Sequence, residues 1–72
     1  MDWNKLVAGN VRRLRKEHGL TQEQLAHEAE LDLTYVGGIE RGRRNPTVSV
    51  LGRIADVLKV EPADLLTPPV GD

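Results

Sequence analysis

The chain has 72 residues, of which 39% are apolar and 29% charged, and this is the composition of a single small globular domain. A chain of this length buries only about 60% of the surface that its unfolded form exposes, so we expect no deep enzyme pocket. The sequence has no cysteine, which excludes disulfides, thiol nucleophiles and thiolate metal sites. It has neither a secretory pattern nor an apolar run of the roughly 18 residues that span a bilayer, and this favours a cytoplasmic protein.

The formal net charge is −1, whereas domains that bind nucleic acid are usually basic overall. The charges are unevenly distributed, however. One basic run lies at residues 12–16 and a second at residues 41–44, while the C-terminal part has an acidic bias. We therefore expect a basic face opposite an acidic one.

The first helix is predicted over residues 2 to 18. Apolar side chains recur at helical spacing from Trp3 to Leu14, and Trp3 is expected to pack on this stripe. Asp2 can cap the start of the helix, and Gly19 can end it in a left-handed conformation.

The start of the second helix is strongly specified. Thr21 and Gln24 stand at the two positions of a capping box, and Leu20 and Leu25 stand at the positions of a hydrophobic staple. This helix must end near Glu30, because the next helix begins almost at once.

A third helix is predicted to begin at the N-cap Asp32 and to end at Gly42, with Val36 and Ile39 buried. The link between the second and third helices is very short. Two helices joined by such a turn cross steeply, which is the geometry of a helix-turn-helix unit when the second helix exposes its other face.

The remaining elements are a loop over residues 43–46, a fourth helix capped by Thr47 and a short fifth helix that begins at Pro62. Residues 67–72 have nothing to pack against and are predicted to form a flexible tail. The predicted organisation is one compact all-α domain of five helices over residues 1–66, with no strand or repeat.

The segment from Leu20 to Pro46 resembles the phage-repressor and Cro-like helix-turn-helix family. The motifs that carry the resemblance are Leu-Thr-Gln at 20–22, Leu-Ala at 25–26, and Ile-Glu-Arg-Gly at 39–42 before a basic loop that ends in Asn-Pro. The stretch 31–41 resembles most closely the controller proteins of restriction-modification systems. The resemblance implies a lambda-repressor-like domain that binds double-stranded DNA as a sequence-specific transcriptional regulator. Relatives often have glycine or asparagine at the turn position of Glu30, so we expect this turn to differ slightly.

The resemblance makes the third helix, about residues 32–41, the recognition helix in the major groove. Its base-facing positions align with Leu33, Thr34, Gly37 and Gly38. Thr34 is the main hydrogen-bonding candidate, and Leu33 can pack on a thymine methyl. Each glycine in a helix costs about 0.5–1 kcal/mol relative to alanine, which indicates either close approach of DNA or simple tolerance of glycine.

A second group of residues is expected at the phosphate backbone. The N-terminus of the second helix attracts phosphate through its free N–H groups and its dipole, and the basic loop directly follows the recognition helix. A solvated basic loop is the alternative interpretation for that loop. The residues assigned to the backbone are Thr21, Gln22, Tyr35, Arg43, Arg44 and Asn45.

Two structural roles also follow from the resemblance. Arg15 aligns with a family arginine that pairs with the counterpart of Glu40, and we expect that pair to be buried and structural. The dimer contact lies around the fourth and fifth helices in the family, with additional monomer core as the alternative. The residues assigned to it are Val57, Val60, Leu65 and Leu66. A two-fold homodimer predicts an inverted-repeat operator with half-sites about 34–36 Å apart.

No metal, cofactor or enzymatic activity is expected. His18 and His27 lack further ligands at useful spacing, and Ser49 has no histidine placed to activate it. The alternative function is a protein-interaction or antitoxin-like module on a helix-turn-helix scaffold with weakened DNA binding. As a regulator, the chain is compatible with repression by occlusion and with activation through contact with RNA polymerase.

Overall fold

The structure, a computed structural model, describes residues 1–70. Its elements are α1 (Trp3–Glu17), α2 (Gln22–Ala29), α3 (Leu33–Glu40), α4 (Val48–Leu58) and a C-terminal 3-10 helix (Pro62–Leu66). Over the described range there is no strand, which confirms the all-helical class, and the fifth predicted helix is a 3-10 helix. No helix among these residues is long and apolar enough to cross a membrane. Residues 71 and 72 of the predicted tail lie outside the described residues.

Each α-helix begins at the side-chain cap that the sequence predicts. The caps are Asp2, Thr21, Asp32 and Thr47. Thr21 Oγ1 accepts a hydrogen bond from the Gln24 N–H at 3.0 Å, and Gln24 Oε1 accepts one from the Thr21 N–H at 2.8 Å. Side-chain caps of this kind stabilise a helix by about 0.5–2 kcal/mol, so local chemistry sets where the helices start.

The core is aliphatic and is shared by all five elements. α3 packs against α1 and α2, while the 3-10 helix packs against α1 and α4. The largest fully buried apolar side chains are Leu25, Ile39, Ile54, Leu58, Leu65, Val11 and Val36. Burial of one such side chain stabilises the fold by about 1.5–3 kcal/mol. This packing fixes α3 on the core while its N-terminal end stays exposed to solvent.

The buried amide of Asn10 joins α1 to the end of the chain. Its Nδ2 donates to the carbonyl oxygens of Leu65 at 2.9 Å and Thr67 at 3.0 Å. Its Oδ1 accepts a hydrogen bond from Arg13 at 3.2 Å. Asn10 is only 1% exposed, and its hydrogen bonds hold the 3-10 helix against α1.

The turn between α2 and α3 consists of residues 30–32. Glu30 adopts the left-handed conformation, with φ 58° and ψ 47°. The Leu31 N–H donates to the Ala26 carbonyl at 2.8 Å, and Arg53 of α4 donates to the Glu30 carbonyl at 2.9 Å. A residue other than glycine is strained here by about 1–2 kcal/mol, and these hydrogen bonds hold the turn in place.

Two predicted placements of apolar side chains are wrong. Trp3 is 57% exposed, because the buried side of α1 begins only at Val7. Leu65, which the sequence assigned to a dimer contact, is fully buried in the core of a single chain. Its side chain therefore has no surface left for a partner.

Candidate nucleic-acid interface

The N-terminal end of α3 is exposed. Leu33 is 43% exposed and Thr34 is also exposed. Asp32 caps this end, with Oδ1 accepting a hydrogen bond from the Thr34 N–H at 2.7 Å. The cap holds the first turn of α3 in a fixed conformation, so the two predicted base-reading side chains stand on a rigid, accessible helix end.

The other two predicted base-facing positions, Gly37 and Gly38, are buried. A Cβ atom at Gly38 would lie 2.5 Å from Arg44 Cγ, and one at Gly37 would lie 3.1 Å from Arg41 Nη1. The two arginine side chains therefore cover the glycines. The sequence placed both glycines on the open face, and this was wrong because residues that follow the helix fold back over it.

The basic loop after α3 is docked on the helix. The N–H groups of Arg43 and Arg44 donate to the Gly38 carbonyl at 2.9 and 3.3 Å. The Arg44 guanidinium carbon lies 5.8 Å from the centroid of the Tyr35 ring, within the range of a cation–π interaction. Arg44 is thus held against α3 by its backbone and its side chain, and Tyr35 is half-buried beneath it.

Arg43, Arg44 and Asn45 of the basic loop are all exposed to solvent. A shallow depression joins Asn45 to the start of α1 beside Trp3. Arg41, in the basic run at residues 41–44, was not among the residues predicted at the interface. The sequence feature that could have indicated Arg41 is its spacing of four residues from Gly37, because residues four apart lie on the same side of a helix.

At the N-terminus of α2, Thr21 and Gln22 differ in their surroundings. Thr21 is exposed and caps the helix. The Gln22 side chain instead donates from Nε2 to Glu40 Oε1 at 3.1 Å and is half-buried. One N–H of the Gln22 amide is thus bound to Glu40 of the same chain, and the phosphate contact through this side chain stays a prediction.

The predicted ion pair between Arg15 and Glu40 is present, and it is bidentate. Arg15 Nε lies 2.7 Å from Glu40 Oε2, and Nη2 lies 2.9 Å from Oε1. The Glu40 side chain is 2% exposed, and its hydrogen bond with Arg15 raises the pKa of that guanidinium above its usual value. Because Gln22 joins the same carboxylate, the pair links α1, α2 and the end of α3.

The apolar residues assigned to a dimer contact are divided between core and surface. Val57 and Val60 are half-buried and pack against the core, and Leu66 is 41% exposed.

Among residues 1–70, no three His, Cys, Asp or Glu side chains converge as a metal site requires.

A profile of the helix-turn-helix family matches residues 11–65, which run from α1 into the 3-10 helix. The uncharacterized HTH-type transcriptional regulator y4dJ of Sinorhizobium fredii is 47% identical over 68 residues, which cover 94% of this chain and 88% of the relative. A hypothetical transcription factor from Neisseria, NHTF, has a solved structure with a TM-score of 0.90 and 39% identity, covering 93% of this chain and 77% of that one. The restriction-modification controller protein C.AhdI from Aeromonas hydrophila gives a TM-score of 0.83 and 40% identity, with coverage of 86% and 94%.

Proposed function

Because the chain belongs to the helix-turn-helix family of DNA-binding transcriptional regulators, we propose that it binds an inverted-repeat operator as a homodimer. The observation that carries the proposal is the division of α3. Leu33 and Thr34 at its start are open, whereas Val36 and Ile39 are 0% and 1% exposed and fix it to the core. A helix anchored along one side and open at its N-terminal end is suited to lie in a major groove.

Contacts to the phosphate backbone would flank this helix. Thr21 lies at the N-terminus of α2, where the helix dipole and N–H groups favour an anion. Arg43 and Asn45 are exposed in the loop after α3. These groups would position the protein on DNA without reading its sequence.

The proposed dimer contact consists of Val57, Val60 and Leu66, without Leu65. In a two-fold dimer the same patch meets itself, so an acidic substitution in it places two like charges together. We expect Leu66→Glu to shift the protein from dimer to monomer in light scattering. Val48→Glu is the matched control, since Val48 is 83% exposed on the first residue of α4. Retention of the dimer by Leu66→Glu would contradict this contact.

The test of the function is selection of bound duplexes from a random DNA pool at moderate salt, followed by sequencing. We expect an enriched inverted repeat with half-sites one helical turn, roughly 34–36 Å, apart. Binding should also weaken steeply as salt rises, because phosphate contacts release counterions. If a folded protein enriches no sequence, the function as proposed is wrong, and a protein-interaction module becomes the better account.

The proposal extends to regulation. Similarity to a controller protein supports control of a restriction-modification operon, either by occluding a promoter or by contact with RNA polymerase next to it. Transcription in vitro from a promoter that carries the selected operator distinguishes the two, since occlusion lowers the transcript and polymerase contact raises it. As a DNA-binding regulator without a membrane-spanning helix among residues 1–70, the protein is proposed to act in the cytoplasm.

A further inference from the structure

In the middle of α3, arginine side chains cover the two glycines of the helix. Gly37 and Gly38 stand at the helix positions that face the bases by resemblance, yet Arg41 and Arg44 lie over them. The Arg41 guanidinium lies over Gly37, whereas the methylene stem and Nε of Arg44 lie over Gly38 and carry the Arg44 guanidinium toward the Tyr35 ring.

Arg44 is the better fixed of the two. Its backbone N–H reaches the Gly38 carbonyl at 3.3 Å, and its guanidinium lies 5.8 Å from the Tyr35 ring centroid. Its Cγ passes so close to Gly38 that a methyl group there would be 2.5 Å away. Only glycine at position 38 leaves room for this path of the Arg44 side chain.

We propose that Arg44, assisted by Arg41, reads a base pair in the major groove in place of Gly37 and Gly38. The two glycines leave the space in which the arginine side chains pack against the helix. This inference rests on the proposed function, because it assigns a specificity residue to the same interface. It changes the role of Arg44 from a phosphate contact to a base contact, and it leaves Arg43 at the phosphates.

The chemistry of arginine specifies the expected base. A guanidinium offers a planar fork of donors that matches the O6 and N7 acceptors of guanine, and this is the commonest specific contact in the major groove. A guanidinium held on an aromatic ring and a helix surface has fewer conformations to lose on binding than a free one. We therefore assign a G·C pair in each half-site to Arg44.

The first test compares Arg44→Ala with Arg43→Ala on the selected operator and on duplexes with single base-pair changes. We expect Arg44→Ala to reduce the preference for one G·C pair by about 5- to 150-fold. Arg43→Ala should weaken binding to every duplex alike and reduce the salt slope by about 1. If Arg44→Ala also weakens all duplexes alike, Arg44 contacts phosphate and the inference is wrong.

The second test uses Gly38→Ala, with Gly9→Ala as the matched control. Both glycines are inside α-helices, but a Cβ at Gly9 would meet nothing within 4 Å. Alanine should raise the melting temperature at Gly9 and leave DNA preference unchanged. Gly38→Ala must move Arg44, so it should lose preference at the same G·C pair as Arg44→Ala while the protein remains folded.

The outcomes distinguish a failure of the proposed function from a failure of the role proposed for Arg44. If the unmodified chain selects no sequence, the proposed function fails and the inference fails with it. If the unmodified chain selects an operator but Gly38→Ala and Arg44→Ala keep its full sequence preference, only this inference is overturned. Loss of the same base-pair preference in both variants, with Gly9→Ala unchanged, supports it.

Discussion

The two halves of α3 have opposite surroundings within eight residues. The first half, residues 33–35, is exposed or half-exposed, and Leu33 retains 43% of its surface. The second half, residues 36–40, is buried, and Val36 retains none. Substitutions of Leu33 or Thr34 and of Val36 or Ile39 are expected to weaken DNA binding for different reasons. At Leu33 and Thr34 they would remove the proposed contacts to DNA, and at Val36 and Ile39 they would remove the packing that holds the helix on the core.

The supporting half is also where the polar network lies. Glu40 ends α3 and holds Arg15 of α1 and Gln22 of α2. A buried carboxylate of this kind is tolerated because every oxygen has a partner. Residues 33–35, the half proposed to contact DNA, need no such network because their side chains are exposed or half-exposed to solvent.

The largest expected effect comes from breaking the support. Glu40→Ala leaves the buried Arg15 guanidinium without its charged partner and with only the Leu20 carbonyl as an acceptor, so we expect the free energy of unfolding to fall by about 3–5 kcal/mol. Urea denaturation followed by circular dichroism measures it. Glu17→Ala is the control, since its pair with Arg13 is exposed at 3.4 Å, and the cost should stay below about 1 kcal/mol. If Glu40→Ala keeps the stability of the unmodified chain but does not bind DNA, Glu40 contacts DNA and does not support the fold.

The next prediction distinguishes contacts to the bases, which carry sequence preference, from contacts to the phosphates, which position the protein on DNA. Arg43→Ala should cost about 1.5–3 kcal/mol of affinity on all DNA sequences, because a charged hydrogen bond to phosphate is lost. Thr34→Ala should cost less, about 0.5–1.5 kcal/mol, and only on the preferred sequence. Fluorescence anisotropy with the operator and a scrambled duplex measures both. Equal losses on both duplexes from both variants would remove Thr34 from the base-reading group.

A smaller effect concerns the boundary of the exposed half. Asp32→Ala removes the acceptor of the Thr34 N–H and should lower the free energy of unfolding by about 1 kcal/mol. Asp32→Asn keeps an acceptor of similar reach and should lie within a few tenths of a kcal/mol of the unmodified chain. Thermal unfolding of the two variants compares them. If they are equally destabilised, the cap hydrogen bond is not what stabilises the start of α3.

The smallest expected effect is a gain of stability in the turn before α3. Glu30→Gly relieves a left-handed conformation at φ 58° and should add about 0.5–1 kcal/mol to the free energy of unfolding. Glu28→Gly, at an exposed position inside α2, should instead subtract about 0.5–1 kcal/mol. Opposite signs of the two changes in urea denaturation would verify the backbone conformation at Glu30, and a loss in both would contradict it.

The resemblance supplied one long-range feature, the Arg15–Glu40 pair, although 25 positions separate the partners. Spacing alone gives no such information. For Gln22, neither spacing nor resemblance indicated the partner of the side chain. Its place at a helix N-terminus suggested a phosphate contact, but its side-chain amide is bound to the buried Glu40. Sequence position identifies a helix end, whereas the partner of a long side chain depends on which distant segment packs beside it.

By itself the sequence determined the helices and their order, because the information lies within a few residues. Asp2, Thr21, Asp32 and Thr47 cap helices through hydrogen bonds that span two or three positions. Apolar spacing then fixes which side of each helix is buried. Family motifs added the function of the unit formed by α2 and α3.

Only the tertiary structure decided which surfaces remain free. It buried Leu65, exposed Trp3 and covered Gly37 and Gly38 with arginine side chains. The physical reason is that exposure is a property of all neighbouring elements together. A helical pattern gives the direction in which a residue points, but what lies in that direction is settled when the segments of the chain pack.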